Sequence, residues 1–175
     1  MPNQAVFRLA HVTDLHFRLF AGAAAADFCS KRALGALNLN VNRVREHRMD
    51  LLEKLRTDLC AQKPDHLAVT GDLSNIALAG EWRAARAWIE KCSRTPETVT
   101  VIPGNHDAYT GDVVKSRAFE LFFAPYQTSD LERRSDYPFI QHRNQIALVG
   151  INSALPTGDW GAWGQIGSDQ LARLE

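Results

Sequence analysis

Three short segments concentrate side chains able to hold metal ions or move protons. They are Asp14 and His16 in an Asp-x-His spacing, Asp72 behind Gly71, and the run Gly104-Asn105-His106-Asp107. Carboxylate, imidazole and amide oxygen suit hard or borderline divalent ions such as zinc, manganese or iron, and no thiol stands nearby in sequence to favour a soft site. A carboxylate has two oxygens, so Asp72 can bridge a pair of ions. Two ions about 3.5–4 Å apart can hold one phosphate between them, polarise it, and lower the pKa of a water that then attacks phosphorus in line. His106, beside a potential ligand on a tight loop, is placed to steady the phosphate or protonate the leaving oxygen. Asp107 is expected to fix the His106 tautomer through the other ring nitrogen.

For such residues to meet, the elements carrying them must end at one place. Residues 6–12 alternate like a strand and lead into Thr13-Asp14-Leu15-His16. Residues 66–70 form a short buried strand that runs into Gly71-Asp72-Leu73-Ser74-Asn75, and residues 98–102 form a third, stopped by Pro103 before Gly104. Between the second and third, residues 81–92 read as a helix with Trp82, Ala85, Ile89 and Cys92 on one face. Leu51, Leu52, Leu55 and Leu59 mark another helix ahead of Pro64-Asp65. The order strand, helix, strand, helix, strand indicates an α/β fold with a parallel sheet. In such a sheet the carboxyl ends of the strands share one edge, where ligands bind. The three segments are therefore expected to converge.

Further along, residues 115–123 read as a helix. Residues 137–142 and 145–151 read as an antiparallel pair turned through Arg143-Asn144, and residues 168–174 as a last helix. The stretch through Phe28, Leu34, Leu37 and Leu39 reads as one or two short helices on an insertion-like excursion.

The phrases Pro64-Asp65-His66, Val69-Thr70-Gly71-Asp72-Leu73-Ser74-Asn75 and Val101-Ile102-Pro103-Gly104-Asn105-His106-Asp107, with Asp14-x-His16 ahead of them, resemble the calcineurin-like metallophosphoesterase superfamily. Within it the chain is most similar to bacterial proteins related to class III cyclic-nucleotide phosphodiesterases. The resemblance runs from about Phe7 to Leu174. It implies a dinuclear centre of two divalent ions (manganese, iron or zinc), with Asp14 and His16 on the first, Asp72 bridging both, and Asn105 on the second. His106 becomes the catalytic acid or phosphate-stabilising group, with Asn105 beside it at the substrate. Asn75 is not a ligand in that pattern and is expected to support its loop.

The implied fold is the N-terminal part of a four-layer α/β-β/α sandwich, in a single domain over residues 1–175 with its C-terminal strands missing. The family adds a histidine after a later strand and then a Gly-His-x-His, and this chain ends at Glu175 with neither. Its remaining histidines are His11, His47, His66 and His142. His11 is expected to be a hydrogen-bonded core residue, His66 and His47 structural or solvated, and His142 not a ligand.

The implied activity is hydrolysis of phosphodiester or phosphomonoester bonds, cyclic nucleotides included, on a small-molecule substrate. Two alternatives stay open: a truncated, inactive chain, or a non-catalytic metal- or phosphate-binding module. Trp82 and Trp88 read as packing residues. Trp160 and Trp163 either line a pocket or cover a core edge.

Twenty basic and twenty acidic side chains cancel, so neither nucleic acid nor an anionic membrane is an obligatory partner. The basic run at residues 42–48 reads as a solvated face. Cys29, Cys60 and Cys92 are odd in number and show no Cys-x-x-Cys spacing, which argues against a disulfide framework and a zinc ribbon. They read as small core-facing residues on helices. No apolar stretch approaches the roughly 20 residues of a membrane span, and no charged leader with an apolar core opens the chain. The expected location is the cytoplasm.

Overall fold

Alternating apolar residues in three segments become three short strands: β1 (Leu9–Val12), β2 (His66–Thr70) and β3 (Val99–Ile102). They pair in parallel in the order β1-β2-β3, with Ala10 opposite Leu67, Val12 opposite Val69, and Val69 opposite Val101. This is a computed structural model, and it describes residues 6–18, 49–92, 95–131, 136–156 and 161–175. The proposed excursion through Phe28 to Leu39, the basic run at 42–48, and Cys29, His47 and Trp160 lie outside the described residues.

That register puts Val12, Leu67, Val69, Val99 and Val101 on one face, all buried. Against it lie α1 (Met49–Gln62) and α2 (Ala79–Cys92), which contribute Leu59, Trp82, Ala85, Trp88 and Ile89 to one continuous core. Each buried valine, leucine or isoleucine among them stabilises the fold by about 1.5–3 kcal/mol. The expectation that Leu51, Leu52, Leu55 and Leu59 share one helix face needs one correction. Leu59 is buried and Leu52 and Leu55 pack on the core, but Leu51 is rotated off the face and stays 49% exposed. Lys63, in the left-handed region at φ 49°, ends this helix ahead of Pro64.

The expected single helix at 115–123 is two pieces, α3 (Gly111–Lys115) and α4 (Ala118–Phe123). Arg117, at φ 53°, breaks it, a conformation that helical hydrogen bonding cannot pass through. The hairpin is present as β4 (Phe139–Arg143) and β5 (Ile146–Gly150), pairing Phe139 with Gly150 and Arg143 with Ile146. Its turn is one residue later than expected because Asn144, not Arg143, takes the left-handed position, at φ 57°. A last short helix, α5 (Ser168–Ala172), is tied back by Gln170, whose side chain exchanges two hydrogen bonds with the Asn152 backbone at 2.7 and 2.9 Å.

The hairpin attaches to the other sheet face through buried polar groups. Thr100 donates its hydroxyl to Gln141 Oε1, and Gln141 Nε2 donates to the carbonyls of Tyr126 and Thr128. His66 Nε2 stands 2.8 Å from the same threonine oxygen. The result is a mixed α/β architecture of helices, parallel sheet and antiparallel hairpin. Among the described residues, no helix is long and apolar enough to cross a membrane.

Candidate metal centre

The loops that leave β1, β2 and β3 all emerge at one edge of the sheet. The strand ladder continues past the strands themselves: Asp14 N donates to Gly71 O at 3.2 Å, His16 N to Asp72 O at 2.9 Å, and Phe17 N to Leu73 O at 2.7 Å. These bonds hold the first two loops side by side in unusual backbone conformations. Asp14, His16 and Asp72 sit at φ 56°, 46° and 51°, with Gly71 at 91°. Non-glycine residues there cost about 1–3 kcal/mol each and persist only where the surroundings over-determine them. The third loop presses in closely. A Cβ on Gly104 would lie 2.2 Å from Asp72 Oδ1, so only glycine admits this approach.

Strained loops aim three side chains at one point. One donor atom from each of Asp14, His16 and Asp72 lies within 4.8 Å of the others. His16 Nε2 stands 3.8 Å from Asp14 Oδ1 and 4.0 Å from Asp72 Oδ2. Its Nδ1 is 3.2 Å from the Ser74 carbonyl, which can only accept, so Nδ1 carries the proton and the Nε2 lone pair points to the carboxylates. Burial lowers the His16 pKa, the charge of His106 lowers it further, and the pull of Asp72 and Asp14 does not overcome them. His16 is therefore neutral at neutral pH, the form that ligates.

His106 meets His16 edge to face, ring centroids 4.9 Å apart, and stacks on Tyr109. Its backbone N donates to Asp72 Oδ1 at 2.9 Å. Its Nδ1 lies 2.7 Å from the Asn75 carbonyl, which again puts the proton on Nδ1 and leaves Nε2 as the working nitrogen. This corrects the expectation for Asp107, because the contact that fixes the His106 tautomer comes from the Asn75 backbone. Asp107 is fully buried and accepts from Leu73 N, Gly104 N, Ser74 N, Ser74 Oγ and Trp82 Nε1, at 2.7–3.3 Å. Burial pushes its pKa up while the bonds from Ser74, Gly104 and Leu73 act against that. Five donors and no acceptor fit the ionised carboxylate. Its place is beneath the second and third loops, clamping them together.

Asn105 lines a cavity of about 310 Å³ together with Asp14 and Asp72. Neither His16 nor His106 lines it. Asn75 donates its side-chain amide to the carbonyls of Phe17 and His16 at 2.8 and 3.2 Å, and so ties the first loop to the second. It also donates to Glu81, a buried carboxylate at the third position of α2 that accepts from Ile76 N and Leu78 N as well. Sequence reasoning missed Glu81 and Ser74. The signal for Glu81 was its place three residues after the helix cap, half of a capping box. Ser74 carried none. His11 is hydrogen-bonded to Thr70 at 2.7 Å but is exposed, not a core residue. His66 is buried on Thr100, and His142 is exposed on the hairpin. Trp82 and Trp88 are buried in the core.

The donor set fits a divalent ion. Ligands about 2.1 Å from one ion lie roughly 3.0–4.2 Å apart, and the measured His16–Asp14 and His16–Asp72 separations fall in that range. A backbone carbonyl behind the imidazole is the usual support for a metal-bound histidine. Among the described residues, no further histidine, cysteine, aspartate or glutamate joins Asp14, His16 and Asp72. For a second ion the chain offers Asp72 and the Asn105 amide.

Residues 7–170 match the family model of the calcineurin-like phosphoesterases, and the chain belongs to that family. No curated protein matches the sequence.

Proposed function

We propose that this calcineurin-like phosphoesterase hydrolyses phosphodiester or phosphomonoester bonds of small molecules in the cytoplasm, cyclic nucleotides among them, and works with two divalent ions. Asp14, His16 and Asp72 hold the first, and Asp72 and Asn105 contribute to the second. Manganese, iron and zinc all suit this mixture of carboxylate, imidazole and amide donors. The observation that carries the reading is the meeting of Asp14, His16 and Asp72 donors within 4.8 Å at the carboxyl edge of parallel strands.

When bound, a pair of such ions supplies Lewis-acid polarisation of the phosphate and a water acidified toward neutral pH. The chain supplies the rest. Backbone bonds between the first two loops fix the ligands before any ion arrives, so little reorganisation accompanies binding. His106, its Nδ1 proton committed to Asn75, presents Nε2 as the working nitrogen, which in the imidazolium form protonates the leaving oxygen or donates to the phosphate. Asp107 holds the second and third loops together without touching the reacting atoms. Asn105 reaches the cavity beside Asp72 and so stands where substrate oxygens arrive.

The chain reconstituted with manganese or iron should turn over bis(p-nitrophenyl) phosphate, p-nitrophenyl phosphate or cyclic AMP, and elemental analysis should find two ions per chain. Absence of turnover on all three with two ions bound overturns the enzymatic reading. One ion per chain with turnover overturns the dinuclear part alone.

A further inference from the structure

The cavity beside the carboxylates is lined from two parts of the chain. The loops after β1, β2 and β3 bring Asp14, Asp72 and Asn105, and the stretch after β5 brings Ile151, Ala154 and Trp163. Among the described residues, the only charged side chains lining it are Asp14 and Asp72, and no described lysine or arginine joins them. Trp163 is 60% exposed, whereas Trp82 and Trp88 are 4% and 5% exposed. An indole left uncovered in a cavity wall forgoes burial that the other two gain.

Its position is nonetheless fixed. Gly164 bridges to Ala154, and Gln165 N donates to Ser153 O at 2.9 Å, which pins the loop after Trp163 to the segment leaving β5. Gly161 lies against Cζ3 of the Trp163 ring so closely that a Cβ there would fall 1.7 Å from that carbon. The chain thus holds an exposed aromatic plate, with a glycine close against Cζ3, in the cavity that Asp14 and Asp72 share.

We infer that Trp163 is a substrate platform that stacks a nucleobase, so that the preferred phosphoester is a nucleotide and not an alkyl or sugar phosphate. The inference rests on the phosphoesterase reading for the phosphate end and adds the recognition of the other end. A nucleotide matches this lining in chemistry. Its phosphate belongs beside Asp14, Asp72 and Asn105, its neutral sugar in the cavity between, and its flat base on the indole. Stacking of a base on an aromatic side chain is tolerant of base identity, so discrimination among bases is expected to be weak. A cavity of about 310 Å³ lies at the small end of the range for ligand sites, which suits a mononucleotide better than an oligonucleotide.

The test loads the full chain with zinc, which is diamagnetic, and follows binding of AMP and of ribose 5-phosphate by calorimetry and by the indole cross-peaks in a proton–nitrogen correlation spectrum. AMP should bind about tenfold more tightly than ribose 5-phosphate and shift the Trp163 indole signal, which ribose 5-phosphate leaves in place. Trp163→Ala should remove the preference, and Trp163→Phe should keep most of it. Gly161→Ala should displace the ring and act like the Ala variant with every tryptophan still present. Equal affinity for the two ligands in the wild type overturns the inference and leaves the phosphate site intact, as does a preference that survives Trp163→Ala. Binding of neither phosphate overturns both the inference and the reading beneath it.

Discussion

Two regions of this molecule are built from histidine, hydroxyl and amide groups, and they use them in opposite ways. At the carboxyl edge of the sheet, His16 and His106 give their Nδ1 protons to backbone carbonyls, and His16 turns Nε2 toward Asp14 and Asp72. Beneath the hairpin, Thr100 spends its single proton on Gln141, so His66 must donate through Nε2. Its Nδ1 is left buried and without a hydrogen-bond partner. The backbone differs too. Asp14, His16 and Asp72 are in left-handed conformations, while His66, Thr100 and Gln141 lie in ordinary strands. Polar residue types do not distinguish a site from a core. What distinguishes them is whether the remaining atoms face a shared opening or one another, and whether the backbone is strained to aim them.

The comparison breaks if a change at the edge costs the fold, or a change under the hairpin costs the chemistry. Asp72→Asn keeps the shape, an acceptor for His106 N, and tolerance of the left-handed conformation. It removes the charge that ions need. Hydrolysis should fall by roughly 10³-fold or more and metal content should drop, with the urea midpoint of the metal-free protein nearly unchanged. A large fall in that midpoint would place Asp72 with the core. Asp107→Asn should do the reverse. Its amide would turn donors against some of the five that Asp107 now accepts, costing about 3 kcal/mol of stability by denaturant titration. Loss of activity at full stability would instead restore the catalytic role expected of Asp107.

Much of this was legible in the sequence because it depends on periodicity and punctuation. Val69, Val99 and Val101 alternate, Pro103 ends a strand, and Asp14, Asp72 and Asn105 follow strands in an order that parallel pairing must bring together. The break at Arg117 was not legible, since nothing in Lys115 to Phe123 forbids one continuous helix. The partner of His106 was hidden for a different reason. Asp107 is adjacent in sequence, but its carboxylate points inward to Ser74 and Leu73, and the acceptor is a backbone carbonyl that any residue at position 75 would offer. Cys60 and Cys92 were read as helix residues facing inward, and each is half-buried at the end of its helix.

The region under the hairpin makes its own prediction. Burial, helped by the charge of Arg143, pulls the His66 pKa from its ordinary 6.5 down to about 4. Between those values the unfolded chain holds the proton and the folded one does not. Stability is therefore complete above pH 6.5, declines as pH falls toward 4, and levels off below. The loss amounts to about 3 kcal/mol at most. His66→Gln removes the titration, so the difference between wild type and variant should change across that window. A difference that stays flat from pH 7 to about 4 would show that His66 is already hydrated and that the hairpin does not seal it.

Glu81 decides where the boundary between the two regions runs. By burial it belongs to the core, since it is fully covered and burial raises its carboxyl pKa. By connection it belongs to the edge, because it accepts from Asn75, whose carbonyl sets His106 and whose amide holds the loop of His16. Glu81→Gln keeps one oxygen for the backbone donors Ile76 and Leu78 and turns an amide toward Asn75. If the connection matters more, kcat should fall by about 10- to 100-fold, the usual cost of losing an outer support. KM should be little changed, and the metal-free protein should lose little stability. If burial matters more, the melting temperature should fall while kcat per folded molecule holds. The first outcome would extend the site one layer inward through Asn75. The second would end it at the loops themselves.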